Sequence, residues 1–106
     1  MSHREEEIPE PTADARRRAR QIEDWAVSEH FWVSTDIDVL GGVAAHIHNG
    51  RDFDHFVWVA CMNNGATTVV LSCRGATLSG MFTEDSKAII IEFLRGNVDA
   101  AWLAHQ

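Results

Sequence analysis

Four glycine turns divide the middle of the chain into short segments, and this division constrains the fold more than any other feature. The turns are Gly41-Gly42, Asn49-Gly50, Asn63-Asn64-Gly65 and Arg74-Gly75. The segments between them are rich in β-branched and aromatic residues, which are typical of strands. Asn-Gly pairs are the common loops of antiparallel hairpins. The sequence therefore predicts four to five antiparallel strands that follow one another in chain order.

Segment 33–48 has the alternating pattern of a half-buried hairpin, with apolar residues at positions 33, 37 and 39 before the glycine pair and at 43, 45 and 47 after it. A second interpretation is an amphipathic helix over 36–48 with Gly50 as its C-cap. We favour the hairpin because two glycines in the middle of a helix would cost roughly 2 kcal/mol relative to alanine.

Helix signals stand on both sides of the predicted strands. Thr12 is a candidate N-cap for a helix over 13–29, whose apolar positions recur at helical spacing. Thr83, followed by two acidic residues, predicts the start of a second helix, and Gly96 predicts its end. Asn97 is a candidate start for a third helix, although the two pieces can also be interpreted as one helix that contains the glycine, because apolar positions from Ile91 to His105 lie on one stripe.

This order predicts a single α+β domain over residues 12–106. We expect a two-layer sandwich: an N-terminal helix, a four- to five-stranded antiparallel meander, and a C-terminal helix or helix pair on one sheet face. Residues 1–11 hold four glutamates and both prolines, with almost nothing apolar. That composition predicts a disordered acidic arm.

Charge and composition exclude several classes of protein. The net charge of −7 disfavours binding to nucleic acid through phosphate contacts. The arginine run over 16–20 is interpreted as a solvated helix face, with a nucleic-acid-binding arm as the minor alternative. No apolar run approaches the roughly 20 residues of a membrane-spanning helix. Cys61 and Cys73 are too far apart in the predicted hairpin for a disulfide, which agrees with a reducing, cytoplasmic location.

Residues 44–55 hold three of the six histidines and two aspartates around Asn49-Gly50. A three-residue turn at 40–42 would set Asp36 opposite His46. A two-residue loop at 49–50 would bring His55 onto the face of His46. A three-residue loop would instead bring Asp52 and Asp54 opposite the two strand histidines.

We expect these residues to form one exposed polar face of the sheet. Val57 and Val59 would share that face and make it an apolar patch among carboxylates, as is typical of interfaces. The predicted interface residues are Asp36, Asp38, His46, His48, His55, Val57 and Val59.

The sequence favours a non-enzymatic protein-interaction module without a cofactor. Its acidity would steer it towards a basic protein partner, and the exposed face would make it a homodimer. Small regulators, inhibitors, immunity proteins and secretion chaperones have this size and charge. The alternative is a metal-binding or hydrolytic domain, in which His46, His48 and His55 hold Zn²⁺ or another first-row transition metal.

Overall fold

The computed structural model describes residues 10–106 of the chain. Its elements, in order, are α1 Ala13–Ser28, β1 Trp32–Val39, β2 Gly42–His48, β3 His55–Met62, β4 Thr67–Cys73, β5 Ala76–Met81, α2 Ser86–Leu94 and α3 Val98–His105. The strands form one antiparallel sheet in the order β1-β2-β3-β4-β5. The predicted α+β class is confirmed, with the N-terminal helix, the meander and the helix pair.

The helices cover one face of the sheet and form a single core with it. α1 contributes its predicted stripe of Ala15, Ala19, Ile22 and Ala26, and α2 contributes fully buried residues that include Phe93. Small side chains on α1 let its backbone lie close to the strands. Within residues 10–106, no helix is long and apolar enough to cross a membrane.

The ends of the helices follow the sequence signals. The Thr12 hydroxyl accepts a hydrogen bond from the Ala15 backbone N–H at 3.0 Å and caps α1. Two separate helices, rather than one continuous helix, lie at the C-terminal end. Gly96 follows α2, and α3 begins after Asn97, whose side-chain amide donates to the Glu92 carboxylate at 2.7 Å.

The 36–48 segment is a hairpin, but its predicted register is wrong. Val39 pairs with Gly42, so the turn has two residues rather than three. A β-bulge then interrupts β1 between Ser34 and Ile37, and Asp36 within it has a φ of 61°. Since a bulge inserts one unpaired residue, it changes which residues share a face. Ser34, not Asp36, lies opposite His46.

The connection from β2 to β3 is longer than either predicted loop and occupies residues 49–54. The Asn49 side-chain oxygen accepts the backbone N–H groups of Arg51 and Asp52, each at 2.9 Å. Asn49 also donates to the Leu94 carbonyl oxygen at 3.0 Å, which attaches the loop to the end of α2. Asn-Gly therefore begins a longer side-chain-capped turn instead of closing a tight hairpin.

In the β3–β4 hairpin Cys61 pairs with Thr67, and Cys73 lies six residues further along β4. Cys61 and Cys73 are both free. The predicted acidic arm lies outside the described residues except for Glu10 and Pro11. The Glu10 carbonyl accepts a hydrogen bond from the Asn63 amide at 3.1 Å.

Candidate aromatic and histidine face of the sheet

The face of the sheet opposite the helices, called here the open face, carries no charged side chain at any position that the described strand pairings assign to it. Within residues 10–106, no helix lies on this face. The chain as a whole has 24% charged residues. The residues of the open face are Trp32, Ser34, Ile37, Val39, Gly42, Ala44, His46, His48, Phe56, Trp58, Ala60, Met62, Thr68, Val70, Ser72, Thr77, Ser79 and Met81.

Six rings gather at one side of the open face, across β1, β2, β3 and the loop that follows β2. We call them the aromatic cluster: Trp32, His46, His48, Phe53, Phe56 and Trp58. The His46 ring lies in the middle, with its centroid 4.5 Å from that of Trp58 and 4.8 Å from that of Phe56. Tilted and stacked rings at such distances attract one another beyond the area they bury.

His48 connects this arrangement to the rim of the sheet. Its ring stacks on the Trp32 indole at a centroid distance of 6.3 Å and an interplanar angle of 13°. Its Nδ1 atom accepts the Gly50 backbone N–H at 3.0 Å, so this nitrogen carries no proton while that bond is present. Gly50 has a φ of 80°, and a Cβ there would overlap the Trp32 indole. The glycine therefore makes room for the tryptophan.

The electrostatics of the cluster favour a neutral imidazole at His46. Burial lowers the pKa of His46 below its ordinary value, and the neighbouring His48 lowers it further. Among the residues assigned to the open face, no carboxylate is present to stabilise an imidazolium. The lowered pKa therefore favours an uncharged His46 ring near neutral pH.

Large side chains remain accessible at both edges of the open face. Trp32 on β1 is 65% exposed and Met81 on β5 is 60% exposed. Phe53, which contacts His48 from the loop, is 68% exposed. Accessible aromatic and methionine side chains around a half-buried centre are typical of a surface that binds another macromolecule.

The structure places only some of the predicted site residues on this face. His46 and His48 belong to it, whereas Asp36 lies in the bulge and Asp38 pairs with Val43 towards the helix-covered side. The predicted position of Val57 and Val59 is wrong, because both are fully buried under the helices. Ile47 pairs with Val57, so residues 48–56 separate the two partners, and this odd number inverts the parity that a two-residue loop with its even spacing would have given.

His55 likewise lies on the helix-covered side, where its ring is nearly perpendicular to that of Phe93 at a centroid distance of 5.5 Å. Its Nδ1 atom is 3.3 Å from an Asp52 carboxylate oxygen, and its buried Nε2 atom has no hydrogen-bond partner among residues 10–106. The sheet itself separates His55 from the two open-face histidines. The three proposed metal ligands are therefore not brought together, and the described part of the chain holds no cluster of three or more ligand side chains.

Four members of the aromatic cluster are not among the predicted interface residues: Trp32, Phe53, Phe56 and Trp58. Segment 56–62 is apolar at every position, so its pattern does not show which of its side chains face the core. In the structure, Phe56 and Trp58 alternate with fully buried residues and are themselves only half-buried. Phe56, Trp58, Ala60 and Met62 stand at alternate positions of the strand and therefore share one sheet face. The length of the β2–β3 connection must be known before that face can be identified as the one that carries His46.

A polar cleft at one end of the molecule is the second candidate site. It has a volume of about 480 Å³ and lies between the end of α1, the 49–54 loop and the end of α2. Arg51 and Arg95 line it together with Glu29 and Asp52, so its charges balance. Arg95 is already 3.4 Å from the Glu29 carboxylate. The cleft thus has no excess charge with which to select a ligand.

The fold and the site define a small α+β domain whose antiparallel sheet is covered by helices on one side and presents rings on the other. No protein-family model matches the chain, and neither the curated proteins nor the solved structures give a significant match.

Proposed function

We propose that this chain is a non-enzymatic protein-interaction module that binds through its open face. The observation that carries the proposal is the uncharged aromatic cluster on a sheet face that no described helix covers. Tryptophan, phenylalanine and methionine are enriched in the centres of protein interfaces, where charged side chains are depleted.

The chemistry of the face supports a protein ligand over nucleic acid. Proteins that stack single-stranded bases on aromatic side chains also supply a positively charged groove for the backbone. None of the residues that the described strands place on the open face is lysine or arginine. Arg18, from the arginine run, is engaged with the β3–β4 hairpin.

The acidic groups support a further part of the proposal, a basic protein partner on the rest of the surface. The net charge of −7 attracts basic surfaces over a distance of about 10 Å at moderate salt. A regulator, an inhibitor or a chaperone would use this electrostatic attraction to approach its partner. The two free cysteines agree with the proposed cytoplasmic location.

Site-specific photo-crosslinking in cells that express the protein tests the proposed binding face. A benzophenone amino acid replaces Phe56, which is half-buried in the cluster, and in a matched control it replaces Leu103, which is 71% exposed on α3. Since the proposal places a protein ligand on the aromatic cluster and none at Leu103, adducts heavier than the 11.9 kDa chain are expected from position 56. Equal adduct yields at the two positions, or none at position 56, would contradict the proposal.

A further inference from the structure

We infer that the occupant of the open face is a second copy of this chain, with the two sheets packed face to face about a twofold axis. This inference rests on the proposed function of the open face and names its partner. Two sheets that pack in this way lie about 10 Å apart and interdigitate their side chains.

Charge is the first argument for a second copy. Two chains that each carry −7 repel one another over most of their surfaces. The open face is where they can meet without placing carboxylates against each other, because its assigned residues are all uncharged. A basic partner would find no carboxylate there to pair with its lysines and arginines.

Area is the second argument. Strands of about seven residues, spaced about 4.8 Å apart, make a five-stranded face of roughly 19 by 23 Å. The side chains that project from the sheet and the adjoining Phe53 increase the area available for contact. The result approaches the roughly 600 Å² per partner at the lower end of specific interfaces, which suits a reversible dimer.

Shape fixes the direction of the twofold axis. Bulky rings occupy the β1–β3 half of the open face, whereas β4 and β5 carry smaller residues such as Val70, Thr77 and Ser79. An axis parallel to β3 sets β1 of one copy against β5 of the other, so that each bulky half meets a small half. An axis across the strands would instead set rings against rings.

One row of paired residues shows which positions of the two copies face each other in this arrangement. It crosses the sheet from Ser34 through His46, Trp58 and Val70 to Ser79. With Trp58 near the axis, Ser34 of one copy lies over Ser79 of the other. Both serines are exposed in the single chain, about 19 Å apart, and a charge at either one removes no packing.

Light scattering and sedimentation of the full chain over a concentration series test the inference. A mass of twice 11.9 kDa is expected at high concentration. Ser34→Glu and Ser79→Glu should each raise the dimer Kd by about tenfold or more, because an unpaired charge enters a dry interface. Ser28→Glu, at an exposed position on α1, is the matched control and should leave the Kd unchanged.

The double variant S34K/S79E tests the axis. If β1 faces β5, each dimer gains two opposite-charge pairs, and the Kd should return to within a few-fold of the wild type. If the axis crosses the strands, like charges face each other, the dimer stays weak, and the proposed arrangement is overturned.

Other results would overturn the second copy as the occupant. These are a wild-type chain that stays monomeric at every concentration, and a dimer that is indifferent to both glutamate variants. A monomer that forms crosslinks from position 56 only to other proteins would refute the self-association and leave the proposed function standing. A monomer without such crosslinks would refute both.

Discussion

Arg18 is the residue that attaches α1 to the sheet most directly. Its guanidinium donates to Thr67 Oγ1 at 2.8 Å and to the Ala66 carbonyl at 3.2 Å, and it also contacts the Met62 carbonyl. Asp14 holds the Nε atom of the same side chain at 2.8 Å. The arginine run is therefore not uniformly solvated, since one of its members is a structural connection to the β3–β4 hairpin.

Replacing Arg18 with alanine should lower the free energy of unfolding by about 1.5–3 kcal/mol, because charge-assisted hydrogen bonds to the hairpin carbonyls are lost. Arg17→Ala is the matched control. Its side chain is 62% exposed and pairs only with Asp14 among the described residues, so a loss below about 0.5 kcal/mol is expected. Urea denaturation measures both variants, and equal losses would argue against the anchoring role of Arg18.

His46 makes stability depend on pH, with a sign that follows from its surroundings. Burial and the neighbouring His48 lower its pKa in the folded chain, so below about pH 6.5 the unfolded chain binds more protons than the folded one. The stabilisation is present above that pH and is lost as the pH falls towards the lowered pKa. We expect the melting temperature to decrease from pH 7 to pH 5.5.

His46→Gln is the control for this pH dependence, because glutamine is polar and does not titrate. The decrease in melting temperature below pH 6.5 should be smaller in the variant than in the wild type. The same decrease in both proteins would assign the effect to other groups. The dimer should respond in the same direction, since protonation would place a cation in its interface.

At the scale of elements, the meander and the three helices could be predicted from the sequence because their signals are local. Turn glycines, Thr12 as a cap and the apolar stripe of α1 each act within a few residues. Strand register could not be predicted in this way. It depends on the bulge at Asp36 and on the Asn49 side chain, which holds the 49–54 loop against the end of α2.

The lengths of two connections account for the errors in the candidate site. The two-residue turn at 40–41 places Ile37 and Val39 on the open face, and the longer loop after β2 places His55 on the helix-covered face. Because side chains alternate with a period of two, one unpaired residue exchanges the faces of every residue beyond it. The sequence places His46 and His48 on the exposed face of the sheet, but their ring neighbours are not among the predicted interface residues.

The bulge itself makes a testable prediction within β1. Asp36→Val should lower the free energy of unfolding by about 1–2 kcal/mol, because a β-branched residue is strained at positive φ. Asp38→Val is the matched control, because it also removes an exposed carboxylate but at a regularly paired position of β1. It should change the free energy of unfolding by less than about 0.5 kcal/mol. Thermal or urea unfolding measures the difference, and similar effects of the two substitutions would argue against strain at Asp36.

At the scale of the whole molecule, the distribution of charge separates two surfaces. The described acidic and basic side chains lie on the helices, the loops and the edge of β1, and the residues assigned to the open face are uncharged. An acidic chain that reserves one flat aromatic face in this way can self-associate there. Its charged side would remain free for the proposed basic partner.

Isotope-filtered NMR on an equimolar mixture of labelled and unlabelled chain tests this account most directly, because it records only contacts between copies. With the twofold axis along β3, the His46 ring of one copy lies over Val70 of the other. We predict nuclear Overhauser effects between the His46 ring protons and the Val70 methyl groups of the second copy. Contacts between copies that arise only from the helices, or none at concentrations where both proteins are folded, would contradict the open face as the site of self-association.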